Sequence, residues 1–168
     1  MSQFGIRYAE GVKVLPILGA KDIVATATAT SYVDLDNANW ATFLVNCGVL
    51  TSTDSTGEVV VTMEASTAGS SNATEGAIAF QYRLSAAVDT DTMGAITSAA
   101  AAGMALANTD DNKTLIIDVD PAAVAASAAD RRWVRLVFTP TTETTVTLLS
   151  VTAILEGRYI GNSQPSST

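Results

Sequence analysis

Oxygen-bearing side chains at close spacing are the first chemistry the chain offers. Asp34, Asp36, Asn37 and Asn39 stand where a calcium-binding loop of the EF-hand type would begin. The match stops there, because Ala38, Asn39 and Val45 fill the fifth, sixth and twelfth loop positions, which need an oxygen donor, glycine and glutamate. Asp and Asn bond their own backbone in turns, so the four residues read as a turn that leads into a strand at Trp40. Further carboxylates could supply the pair that glycoside hydrolysis requires: Asp118 and Asp120 on one predicted strand face, and Asp89, Asp91, Asp110 and Asp111 in predicted loops. No spacing selects such a pair, and solvated loop charge accounts for all six.

The basic residues cluster once, at Arg131, Arg132 and Arg135 around Trp133. Such a cluster can stack and neutralise single-stranded nucleic acid, but a formal charge of −8 opposes that use, and ion pairing with the acidic loops is the expectation. The single cysteine, Cys47, alternates with Phe43 and Val45 on a predicted core face, so it reads as a small buried hydrophobe. The sequence has no histidine, which removes Ser-His-Asp and Cys-His triads, histidine-ligated zinc and the commonest general base. Phosphate loops, dinucleotide fingerprints, nucleophile elbows and paired cysteines have no match either. The expectation is a non-enzymatic chain with no catalytic, metal or cofactor residues and no cofactor.

These side chains must be carried by one unit, since 168 residues fit a single domain. Apolar residues make up 48 % and charged residues 15 %, which excludes disorder as the dominant state. No apolar run reaches the roughly 20 residues that a membrane-spanning helix needs, and Glu10, Lys21 and Asp22 break up the signal-peptide pattern around Val14–Ala20. The chain is therefore expected to be soluble, with neither nucleic acid nor membrane as partner.

Interleaved Ala and Thr give the sequence the texture of β-surface, and period-2 alternation recurs along it. In 23–30, Ile23, Ala25, Ala27 and Ala29 oppose Val24, Thr26, Thr28 and Thr30. In 40–50, Phe43, Val45, Cys47 and Val49 share a face; in 58–66, Val59, Val61, Met63 and Ala65 do. Residues 77–85 alternate most cleanly, with Ile78, Phe80, Tyr82 and Leu84 inward, and 31–35, 114–120, 132–139 and 144–155 complete the set. About eight strands predict an all-β fold, an antiparallel sandwich or jelly roll. One or two short helices accompany it: Pro121 follows an Asp120 cap, whereas 95–107 reads equally as helix or loop. The predicted layout is an N-terminal arm or edge segment at 1–22, a β-sandwich at 23–160 and a flexible tail at 161–168.

The opening Met-Ser-Gln-Phe-Gly-Ile-Arg-Tyr-Ala-Glu, the segment from Ser31 to Val45, the strand from Glu58 to Ser66 and the closing Ile154-Leu-Glu-Gly-Arg-Tyr together resemble head decoration, or auxiliary capsid, proteins of tailed bacteriophages. The resemblance implies a virion structural protein, made in the host cytoplasm, that binds the outside of the capsid lattice as a homotrimer. It would stabilise the capsid, with the major capsid protein and its own copies as partners. The contact residues it implies are Phe4, Ile6, Tyr8, Arg158 and Tyr159. Phe4, Ile6 and Tyr8 alternate with Gly5 and Arg7, so a segment extended along a neighbour would set three large side chains into one groove. Its alternative is an ordinary edge strand of the same domain. The rival function is a carbohydrate-binding sandwich that would use Trp40, Trp133 or Tyr82, although aromatics total only 6 %.

Overall fold

A computed structural model of the chain describes residues 12–24, 26–53, 58–70, 74–127, 130–141 and 144–157. The strands are β1 (Val12–Asp22), β2 (Thr28–Ala29), β3 (Val33–Asp34), β4 (Ala38–Ser52), β5 (Glu58–Ser66), β6 (Glu75–Ile78), β7 (Phe80–Leu84), β8 (Thr97–Ala99), β9 (Met104–Ala107), β10 (Thr114–Val119), β11 (Trp133–Pro140) and β12 (Thr144–Gly157). They form two antiparallel sheets, one ordered β1-β12-β4-β10-β7-β8 and the other β2-β11-β5-β6, with β3 also on β11 and β9 on β5. Phe43, Leu115 and Leu155 of the first sheet share one buried cluster with Met63, Leu136 and Phe138 of the second. Each such side chain contributes about 1.5–3 kcal/mol on burial, which makes the space between the sheets the core of a β-sandwich. One helix, α1 (Pro121–Ser127), is present among the described residues, with a 3-10 turn at Asn108–Asp110.

The expected fold class is observed, but the strands among the described residues number twelve rather than about eight. The clean alternation of 77–85 runs through two strands in different sheets. β6 pairs with β5, the chain steps across at Ala79, and β7 pairs with β10 and β8. Ile78 and Phe80 stay buried on either side of the step, so the period survives while the sheet changes. The ambiguous 95–107 segment also crosses, as β8 in one sheet and β9 in the other, turning at Gly103.

Residues 23–30 are not a continuous strand. The chain passes here from β1 to the opposite sheet, and among the described residues of this stretch only Thr28–Ala29 form a strand, paired with Val137 and Phe138. Burial does not follow one of the two predicted faces, because Ile23 of one set and Thr30 of the other are both buried while Ala29 is exposed. The Thr30 hydroxyl meets its own needs there by accepting the Leu136 N–H at 3.1 Å and donating to the Ser31 carbonyl at 3.0 Å. The sandwich does not begin at Ile23 either, since β1 lies along β12 from Val12↔Glu156 to Asp22↔Leu148 as an edge strand of the larger sheet. Of the two readings of the N-terminal segment, residues 12–22 take the edge strand; Phe4, Ile6, Tyr8, Arg158, Tyr159 and 161–168 lie outside the described residues.

Val49 is the other correction. Cys47 pairs with Leu149 and Leu50 with Thr147, so β4 spends one more residue than β12 over that interval. This bulge shifts the phase: Cys47 and Leu50 are both buried, and Val49 turns outward.

Gly103 has φ +90°, and a Cβ there would lie 2.3 Å from the Val61 carbonyl oxygen. Gly19 has nothing within 4 Å of the same position. We expect Gly103→Ala to destabilise the fold by at least about 1–3 kcal/mol through backbone strain, with the clash adding to it. Gly19→Ala is expected to leave the urea midpoint almost unchanged. Equal midpoints for the two variants would show that the β8–β9 turn does not need its left-handed residue.

Candidate functional site

The carboxylates singled out in the sequence are dispersed to separate tasks. Asp34 Oδ1 accepts the Asp36 N–H at 3.0 Å and faces Arg132 Nε at 3.4 Å, which is a turn pinned by an ion pair rather than a calcium loop. Asp110 binds Lys113 Nζ at 2.9 Å and the Ala107 N–H at 3.0 Å, and Asp111 accepts the Leu50 N–H. Asp120 does not share a strand face with Asp118: it stands beyond the end of β10 and caps α1, accepting the Ala122 N–H at 2.8 Å. No group of three potential metal-binding side chains occurs among the described residues.

Two of the three clustered arginines, Arg132 and Arg135, also resolve into structural pairs. Arg135 lies between two carboxylates, with Nε 2.7 Å from Glu64 and an Nη 2.8 Å from Glu75, and its guanidinium is 4.6 Å from the centre of the Tyr32 ring. Burial and the nearby Glu75 carboxylate push the Tyr32 phenol well above its ordinary range. Arg132 lies 5.8 Å from the centre of the Trp133 ring, leaving that indole half-covered and occupied.

Asp118 stands apart. Its Oδ1 accepts the Thr42 hydroxyl at 2.9 Å and faces the Trp40 indole Nε1–H at 3.4 Å. The strand registers place it in one row across all six strands of the larger sheet: Val14, Ile154, Thr42, Asp118, Gln81 and Ser98 are successive partners from β1 to β8. The neighbouring positions Leu155, Ala41, Val119, Phe80 and Ala99 are buried, so this row lies on the outer face. Its first two positions from β1, Val14 and Ile154, are apolar, and the four from Thr42 to Ser98 are polar.

At the polar end the outer face opens into a cleft of about 570 Å³. Trp40, Gln81, Ser98, Asp118 and Asp120 belong to its lining, as do the apolar Met63, Ile78, Phe80 and Val124 of the core cluster and α1. The step at Ala79 creates this opening, because β6 and β7 part there to join different sheets. Trp40 is 40 % exposed, whereas Tyr82 is half-buried and packs 6.2 Å from Phe80. Of the three aromatics named for a sugar site, only Trp40 meets a group of polar side chains at an opening. Gln81 and Ser98 escaped the sequence reading because they carry no signal except through register.

No helix among the described residues is long and apolar enough to cross a membrane. Comparison of the chain with protein-family models, curated proteins and solved structures found no match.

Cys47 is 5 % exposed, and burial, reinforced by Asp110 and Asp111, pushes its thiol up to about 12. A thiol whose pKa is raised by folding favours the folded state only while it stays protonated. This contribution is complete below the unfolded value of about 8.5 and is lost as pH rises from there toward 12. We expect Cys47→Ser to cost about 1–3 kcal/mol, for a hydroxyl placed in the core, and to flatten this alkaline decline. Native protein is expected to react with a thiol reagent at pH 8 only as fast as it unfolds. Immediate stoichiometric reaction would show an accessible, reactive thiol instead.

Proposed function

We propose that this chain is a non-catalytic virion structural protein that decorates the outside of a tailed-bacteriophage capsid and stabilises it, acting as a homotrimer. Besides the sequence resemblance, the observation that supports the reading best is the pairing of Val12 with Glu156. The two segments bearing the implied contact residues, Phe4, Ile6 and Tyr8 before β1 and Arg158 and Tyr159 after β12, thus continue from adjacent strands at one corner of the sandwich. Anchors that start from one corner can act on one patch of a lattice, which concentrates binding energy in few side chains.

The outer face beside that corner has the character of a contact surface. Val14 is 50 % exposed and neighbours Ile154, and the adjoining row pairs Leu44 with Ile116. These apolar side chains stand on a flat face of long paired strands, suited to association by area rather than by chemistry.

Deleting Ser2 to Glu10 is expected to leave the circular dichroism and melting temperature near those of the full chain. The same deletion is expected to weaken cosedimentation with undecorated capsids at least tenfold, about 1.4 kcal/mol. Val14→Asp is expected to lower the trimer mass seen in sedimentation equilibrium. A truncated protein that folds and binds capsids normally would exclude the N-terminal segment as the attachment, and strictly monomeric full-length protein on capsids would remove the trimer.

A further inference from the structure

We propose that the Trp40 cleft is a saccharide-binding site, specific for uncharged oligosaccharides. It is a second site on the same domain and independent of that reading: Trp40 pairs with Glu156 of the capsid-facing corner, and the site extends from there toward β8.

Three features converge on this ligand class. The first is an exposed indole at the rim. The C–H face of a pyranose is apolar, and its partly positive hydrogens pack against the negative face of an aromatic ring. The second is the polar row that runs away from the indole: Thr42, Asp118, Gln81 and Ser98 occupy four adjacent strands, so the row spans about 14 Å at the usual strand spacing. That length suits a short chain of sugars better than a single ring. The row also mixes capacities, since the carboxylate accepts, whereas the amide and the hydroxyls both donate and accept, as sugar hydroxyls require. The third is preorganisation: Thr42 and Trp40 hold one oxygen of Asp118, and its other oxygen has no hydrogen-bond partner among the described residues.

Charge sets the specificity. Asp118 and Asp120 stand at the opening and no Lys or Arg among the described residues lines it, so phosphorylated, sulfated or uronic-acid ligands meet these carboxylates without a compensating cation from the lining. The apolar floor of Ile78, Phe80 and Val124 accommodates a methyl or acetyl substituent, which favours N-acetylated or deoxy sugars over plain glucans.

The test uses the two-tryptophan composition of the chain. In a Trp133→Phe background, with melting checked against the parent, Trp40 is the only indole emitter. Chitotetraose, maltotetraose and tetragalacturonate are titrated, with saturation-transfer NMR on the same mixtures. We expect saturable change in Trp40 emission with chitotetraose at a Kd of about 1 mM or tighter, weaker binding of maltotetraose and none of tetragalacturonate. Gln81→Ala, at an exposed position outside the core, is expected to weaken chitotetraose binding at least fivefold without changing the melting temperature, and Asp118→Asn at least tenfold. Absence of saturable binding by both neutral sugars overturns the proposal, as does equal binding of tetragalacturonate. Loss of capsid cosedimentation in Gln81→Ala would assign the cleft to the lattice instead. Normal cosedimentation alongside failed sugar binding would refute this site while leaving the decoration reading intact.

Discussion

The register of β4 between β12 and β10 is the constraint on which the surface depends. Pairing runs from Ala38↔Gly157 to Ser52↔Thr144 on one side and from Ala41↔Val119 to Asn46↔Thr114 on the other. Side chains alternate strictly in a strand, so a one-residue slip of β4 would turn Phe43 and Val45 out and Thr42 and Leu44 in. Two fully buried core residues hold that register, and with it the alignment of Thr42 with Asp118 on the far face. Packing on the inside therefore fixes polar geometry on the outside.

The chain passes back and forth between the two sheets, and three of the passages are the segment between β1 and β3, the step at Ala79 and the β8–β9 turn. Each places a distinctive residue under a local demand. Thr30 must satisfy a buried hydroxyl, Gly103 must adopt a left-handed backbone against Val61, and Ala79 leaves room for the cleft beside it. A sandwich with these connections is joined by covalent chain as well as by its core, and its opening lies where one of the crossings parts the strands.

Much of the fold was legible in period-2 alternation, because burial imposes it directly. Val59, Val61, Met63 and Ala65 on β5 and Val134, Leu136 and Phe138 on β11 are buried as their spacing predicts. Alternation is silent about partners, however, so 77–85 read as one strand although its halves belong to opposite sheets. It also misplaced Val49, since the bulge near Gly48 adds a residue that only pairing with β12 reveals. The candidate site was legible in its parts alone. Trp40 and Asp118 are visible as single residues, but the hydrogen-bond contact between positions so far apart in sequence comes from the β4–β10 ladder, and Gln81 and Ser98 join them only through β7 and β8.

The adjacency of Val12 and Glu156 also decides how the domain carries mechanical load. Hydrogen bonds in an antiparallel ladder run across the strands, and a pull that separates the two neighbouring ends at this corner meets them one after another. β1 would then peel from β12 like an opening zipper, at far lower force than sliding the same strands past each other. Tethered to one rigid surface by both ends, the domain avoids that loading, because the two anchor points cannot move apart. Tethered instead to two bodies that separate, as when neighbouring subunits of a swelling shell diverge, the same pair becomes the first element to yield.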